Sequence, residues 1–150
     1  MRLGMPQDQV RYVKGYPYEV GSEDGKSVIE VTELVKKGKN VEDYREWRYD
    51  MIEHHLILNF DSTKTGLIAI ECYTIDSPRC PKIAGITDEN TEQEVIKRFG
   101  KPDITRIEST TKFLKYKNIG VHFILQGGKV VTLGINEPDY IPQWWAENPR

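Results

Sequence analysis

No run of 18 apolar residues occurs in this chain, so the sequence predicts no membrane-spanning helix. An excess of one charge is also missing: 21 basic and 23 acidic side chains give a net charge of −2, with both signs interspersed. Without a basic stripe there is no electrostatic grip on nucleic acid, and none is expected as a partner. Histidine is scarce. Of the three, His54 and His55 are neighbours on an expected strand and point to opposite faces, so they do not chelate one ion together. His122 stands far off, with no carboxylate placed to complete a site. No metal and no cofactor are expected. There is no Gly-x-Ser-x-Gly elbow, the cysteines have no histidine partner within their own strand, and Gly127-Gly128-Lys129 lacks the spacing and helix of a phosphate loop. The expectation is a protein that is not an enzyme.

Cysteine is nearly absent too. Cys72 and Cys80 are the only two, which makes a poor zinc site. Two readings stay open. They are free thiols, with Cys72 a small core residue. Or they form a disulfide that staples the connector between the repeats to the first sheet, adding about 2.5 kcal/mol and requiring an oxidising compartment. The first residues show no charged, apolar and cleavage-site series. The chain is therefore expected to be cytoplasmic, or periplasmic or extracellular if a signal has been removed upstream.

What the chain does have is a duplication. Val10-x-x-x-x-Gly15-x-Pro17 returns as Val95-x-x-x-x-Gly100-x-Pro102. Tyr49 leads to His55-Leu56-Ile57-Leu58-Asn59 at the spacing by which Tyr116 leads to His122-Phe123-Ile124-Leu125-Gln126. Leu67-Ile68-Ala69-Ile70 then matches Val130-Val131-Thr132-Leu133. Three blocks in one order indicate a repeated unit. In the second copy Thr91-Glu92-Gln93-Glu94 forms a capping box, and Gly100 with Pro102 ends a helix. In the first, Pro6 suits the first turn of a helix over 7–14. Three strands follow each helix, near 45–50, 53–60 and 66–73, then near 112–117, 120–125 and 129–135. The expected fold class is α+β: two tandem repeats, each a helix plus a three-stranded antiparallel sheet. Repeat one covers 1–75, with an insert at 18–44. Repeat two covers 76–137, and an aromatic tail of 138–150 completes one compact unit. Within the insert, Val28–Val35 fits either a strand running into a helical turn or an amphipathic helix.

Strand alternation assigns faces. Leu56, Leu58 and Phe60 should pack on the helices, with Ile68, Ile70 and Cys72, then Val131, Leu133 and Ile135, joining that core. His55, Ile57 and Asn59, copied as His122, Ile124 and Gln126, should form a semi-polar outer face. Trp47, Tyr49 and Asp50, with Tyr116, are expected to extend it. The partner-binding set is thus Trp47, Tyr49, Asp50, His55, Ile57, Asn59, Tyr116 and His122, and the partner is another protein. Trp144 and Trp145 are expected to dock the tail on the protein itself. A small-ligand or metal-binding protein using His55 and His122 is the alternative from another class.

The helix motif from Gly4-Met5 through Pro17, and again from Thr91 through Pro102, resembles that of the small outer-membrane lipoproteins of the BamE (SmpA/OmlA) type. Its tandem use is similar to the plan of the β-lactamase inhibitor protein (BLIP) fold, whose central strand His55-Leu56-Ile57-Leu58-Asn59 resembles. The resemblance implies a non-catalytic, BLIP/BamE-like module of the bacterial envelope, or a secreted one, that binds proteins. A toxin- or enzyme-neutralising inhibitor or immunity protein is the narrower version. No lipid-bearing cysteine is in the chain, so a lipid anchor is expected only with an upstream signal.

Overall fold

The computed structural model describes residues 1–50, 55–73 and 80–141. Helix α1 (Gln7–Lys14) follows Pro6, and α3 (Glu92–Phe99) follows Thr91. Only α3 has a side-chain cap: the Thr91 hydroxyl accepts the Glu94 amide at 3.2 Å while the Glu94 carboxylate accepts the Thr91 amide at 3.1 Å. Both helices end alike, on Gly15 and Gly100, with φ of 80° and 83°. That left-handed backbone is open to glycine at no steric cost.

The expectation of two helix-plus-three-strand repeats, each backed by its own sheet, is overturned. Among the described residues nine antiparallel strands form a single sheet in the order β2 (Val28–Glu30), β1 (Glu19–Gly21), β3 (Glu46–Asp50), β4 (His55–Phe60), β5 (Leu67–Tyr73), β9 (Lys129–Asn136), β8 (Val121–Gln126), β7 (Thr111–Tyr116), β6 (Ile104–Glu108), and only three short α-helices accompany it. The fold is sheet-dominated. Two pairings account for the difference. Chain just beyond each Gly-x-Pro motif becomes a further strand: β1 (Glu19–Gly21) pairs with β3 (Glu46–Asp50), and β6 (Ile104–Glu108) pairs with β7 (Thr111–Tyr116). The third strands of the two halves, β5 (Leu67–Tyr73) and β9 (Lys129–Asn136), then pair with each other. Ladder bonds between halves are long-range contacts that no local pattern records. Strands β4 (His55–Phe60) and β8 (Val121–Gln126) lie inside the halves.

Within the insert, β2 (Val28–Glu30) runs straight into α2 (Val31–Lys36), and a 3-10 turn at Val41–Asp43 returns the chain to β3. Two apolar cores form on the helix side. Val10 of α1 packs with Leu34, Trp47, Leu58 and Phe60; Val95 of α3 packs with Leu114, Phe123, Leu125 and Leu133. A bulge falls at the corresponding place on the third strand of each half, opposite Asn59 and Phe60 in the first and opposite Ile124 and Leu125 in the second. Each leaves one residue of the third strand unpaired, Ile68 and Val131, and so inverts the strand's alternation. Leu67 and Val130 therefore enter the cores, where strict alternation placed Ile68 and Val131. Ile135 is likewise exposed, outside the core expected of it.

Cys72 and Cys80 form a disulfide that ties the end of β5 to the chain entering the second half. No helix of the described residues is long and apolar enough to cross a membrane.

Candidate functional site

The helix-free face of the sheet holds the polar groups. His122 on β8 and Glu71 on β5 both stand opposite Gly134 on the intervening β9. A Cβ at position 134 would lie 2.1 Å from the His122 ring, so glycine is what lets the imidazole cross β9. The ring reaches Glu71 Oε2 at 3.0 Å through Nε2 and Asn136 Oδ1 at 2.7 Å through Nδ1. The Asn136 amide nitrogen donates to the Glu137 carbonyl, leaving its oxygen to face His122. Both ring nitrogens therefore face oxygen atoms of buried side chains.

Glu71 also accepts bonds from Asn59 Nδ2 and Tyr140 Oη, each at 2.9 Å. Burial pushes the Glu71 carboxyl up, but the bond and charge of His122, with those two further donors, outweigh it and hold it below the usual value. Tyr140 fastens the chain after β9 across this face, and the Lys115 ammonium donates to the Pro138 and Tyr140 carbonyls. Burial, with Lys117 nearby, pushes Lys115 down to about 8. Burial and the Glu71 charge push the Tyr140 phenol well above its ordinary value. These groups spend their hydrogen bonds on one another, as a structural network does.

Beside the network lies a trough of about 500 Å³, running from the β1–β2 hairpin to Tyr140. Ile57, Ile68 and Ile124 line it together with Arg48, Glu46 and Lys64. Arg48 pairs with Glu46 at 3.0 Å. A smaller cleft of about 140 Å³ next to it is lined by Tyr18, Asp50, His55 and Tyr73. There His55 meets Asp50 at 3.3 Å and stacks on Tyr73 with ring centres 4.8 Å apart.

The expected binding residues thus divide. Asp50, His55, Ile57 and Asn59 lie at these hollows or the network beside them. Trp47, Tyr49 and Tyr116 do not belong to the outer face. They sit in the cores under the helices, and this corrects the face expected of them. Trp47 donates to the Val41 carbonyl, and the phenols of Tyr49 and Tyr116 donate to the Gly15 and Gly100 carbonyls at 2.9 and 2.8 Å. The two tyrosines tie a strand to the end of its helix, and Trp47 ties β3 to the 3-10 turn before it. His122 is on the outer face but fully buried, with the Tyr140 ring against it, and is closed to a partner. His55 and His122 have separate partners, and no group of three potential metal ligands exists among the described residues. His54, Trp144 and Trp145 lie outside the described residues.

Sequence reasoning missed another surface. Tyr12, Val13, Tyr16 and Tyr18 are all exposed, Tyr12 at 91%. Pro17 between the last two points inward. Arg11 lies over the Tyr16 ring at 5.1 Å, and Lys14 stands 5.9 Å from the Tyr49 ring. In the register of the duplication the same positions in the second half are Lys97, Arg98, Lys101 and Asp103, also exposed. The second half thus presents charge where the first presents aromatic and apolar groups. The signal was in the aligned repeats, in the positions that differ and not in those that match. No protein family, curated protein or solved structure matches the chain. The resemblance to envelope lipoproteins and inhibitors rests on its motifs alone.

Proposed function

We propose that this is a non-catalytic binding protein whose partner, another protein, docks on the first half through Tyr12, Val13, Tyr16 and Tyr18. The observation that carries this reading is the contrast between copies. Tyr12 and Val13 stand on α1 where Lys97 and Arg98 stand on α3, and Tyr16 and Tyr18 flank Pro17 after α1 where Lys101 and Asp103 flank Pro102 after α3, so neither helix formation nor its termination explains the tyrosines of one copy and the charges of the other. Exposed tyrosines supply large contact area at small entropic cost and are enriched at interfaces. The absence of an uncommitted acid or base in the buried network supports binding over catalysis. The disulfide supports an oxidising compartment, the periplasm or the cell exterior. An inhibitor that blocks an enzyme or toxin is one form such a binder takes.

Affinity capture from native extract tests the proposal. The triple variant Tyr12→Ala, Tyr16→Ala, Tyr18→Ala should lose the captured protein. The matched triple Lys97→Ala, Lys101→Ala, Asp103→Ala should keep it. Equal loss from both, or retention by the first, refutes the assignment. The trough favours a second reading, a small ligand, because its volume lies in the range of ligand pockets. A thermal-shift screen in which Arg48→Ala cancels a hit would support that one.

A further inference from the structure

The sheet ends on two unlike edges. At one, β2 is three residues long and runs straight into α2. At the other, β6 is five residues long, contains neither proline nor lysine, and pairs with β7 without a bulge. Its outer side has no strand partner among the described residues. Natural edges are blunted by short strands, proline, bulges or charged side chains; β6 has only the last, Arg106 and Glu108, and opposite charges two positions apart on one face can pair with a second copy of the strand instead of repelling it. Two features of β6 are unexplained by the monomer. Ile107 is 47% exposed. Arg106 is half-buried, and its Nε and Nη1, covered by the chain itself, have no hydrogen-bond partner among the described residues, a costly state for a cation.

We propose that β6 pairs with β6 of a second copy of this chain, antiparallel and centred on Ile107. Opposed residues of an antiparallel pair share a face. In this register Ile107 meets its own copy, and each Arg106 faces Glu108 of the other chain, twice by symmetry. The register of full overlap, centred on Arg106, sets two guanidinium groups against each other and is disfavoured. A contact one short strand wide is small, so the dimer is weak, with a midpoint on the order of 100 µM. Because β6 belongs to the second half, the dimer leaves the tyrosine surfaces of both first halves free for a bivalent partner.

Sedimentation velocity on the full chain at low salt, across concentrations from roughly a tenth to ten times that midpoint, tests the proposal. Wild type should pass from monomer to dimer. Arg106→Glu alone and Glu108→Arg alone should stay monomeric, each now opposing like charges. An equimolar mixture of the two should dimerise again as a heterodimer, because both cross-strand pairs become complementary. A monomeric wild type overturns the proposal, as does a dimer indifferent to either swap or a mixture that stays monomeric. If Arg106→Glu does not fold, amide spectra of wild type decide. Shifts at 104–108 that move with concentration, with 28–30 still, support the pairing; the reverse, or no movement, overturns it.

Discussion

Gly134→Ala tests whether the ring of His122 needs the bare backbone of β9. The added methyl would fall 2.1 Å from the ring, so the imidazole must leave. Its bonds to Glu71 and Asn136 go with it, and Glu71, 6% exposed, keeps its charge without that partner. Breaking one side of a buried pair costs about 3–5 kcal/mol. The smaller conformational freedom of alanine in the unfolded chain offsets about 0.4–1 kcal/mol of that. A net loss of about 2–4.6 kcal/mol remains, a fall in Tm of roughly 4–18 °C at this size. Urea denaturation at pH 7, followed by far-UV circular dichroism, measures it. The decisive comparison is the same substitution in a His122→Ala background, where no ring stands in the way and alanine at 134 should be neutral or slightly stabilising. The pH dependence has a definite sign. Because the folded state holds the Glu71 carboxyl below its ordinary value, the stability it confers is present above the unfolded value, about 4.3, and is lost as pH falls through the folded one. Wild type and Gly134→Ala should therefore converge in acid. A loss below about 1 kcal/mol, or one undiminished without His122, would refute the reasoning, since the least cost expected of breaking such a pair is larger.

Tyr49→Phe and Tyr116→Phe each remove one hydroxyl bond to a helix-ending glycine, and each should cost about 1 kcal/mol by denaturant titration; a large inequality would mean that the two ties are not equivalent. Cys72→Ser with Cys80→Ser opens a short covalent loop and should lower stability by about 2–3 kcal/mol, as should reduction of the native protein under calorimetry. Ser109 holds φ of 55° in the β6–β7 turn, so Ser109→Gly should raise stability by about 0.5–1 kcal/mol. For Lys115, held near 8 when folded, the unfolded chain binds more protons between about 8 and 10.5; its contribution to stability rises with pH there, and Lys115→Met should flatten that limb of a Tm-against-pH curve.

Much of the local structure was written in the chain. The Val-x-x-x-x-Gly-x-Pro blocks mark both helices and their ends because capping, glycine and proline act over a few residues. Alternation found β4 and β8 with their buried sides, because side-chain period is a local property. It failed at Leu67 and Val130, since a bulge shifts the period by one and leaves no mark in hydrophobicity. It placed Trp47 and Tyr49 outside because an aromatic residue reads alike as core or as interface. The buried polar network had a faint signal: Glu71 and Lys115 are charges inside apolar strands, but their partners come from β4, β8 and the chain after β9.

By itself, the sequence determined that a pattern of residues recurs, where α1 and α3 stop, and which side chains β4 and β8 turn to the cores. Tertiary structure alone decided that the halves merge through β5 and β9, that two further strands join beside β3 and β7, and that His122 crosses Gly134 to reach Glu71. The physical reason is range. Capping, turn chemistry and side-chain period are fixed by neighbours along the chain, whereas strand order and buried charge pairing depend on residues tens of positions apart meeting in space.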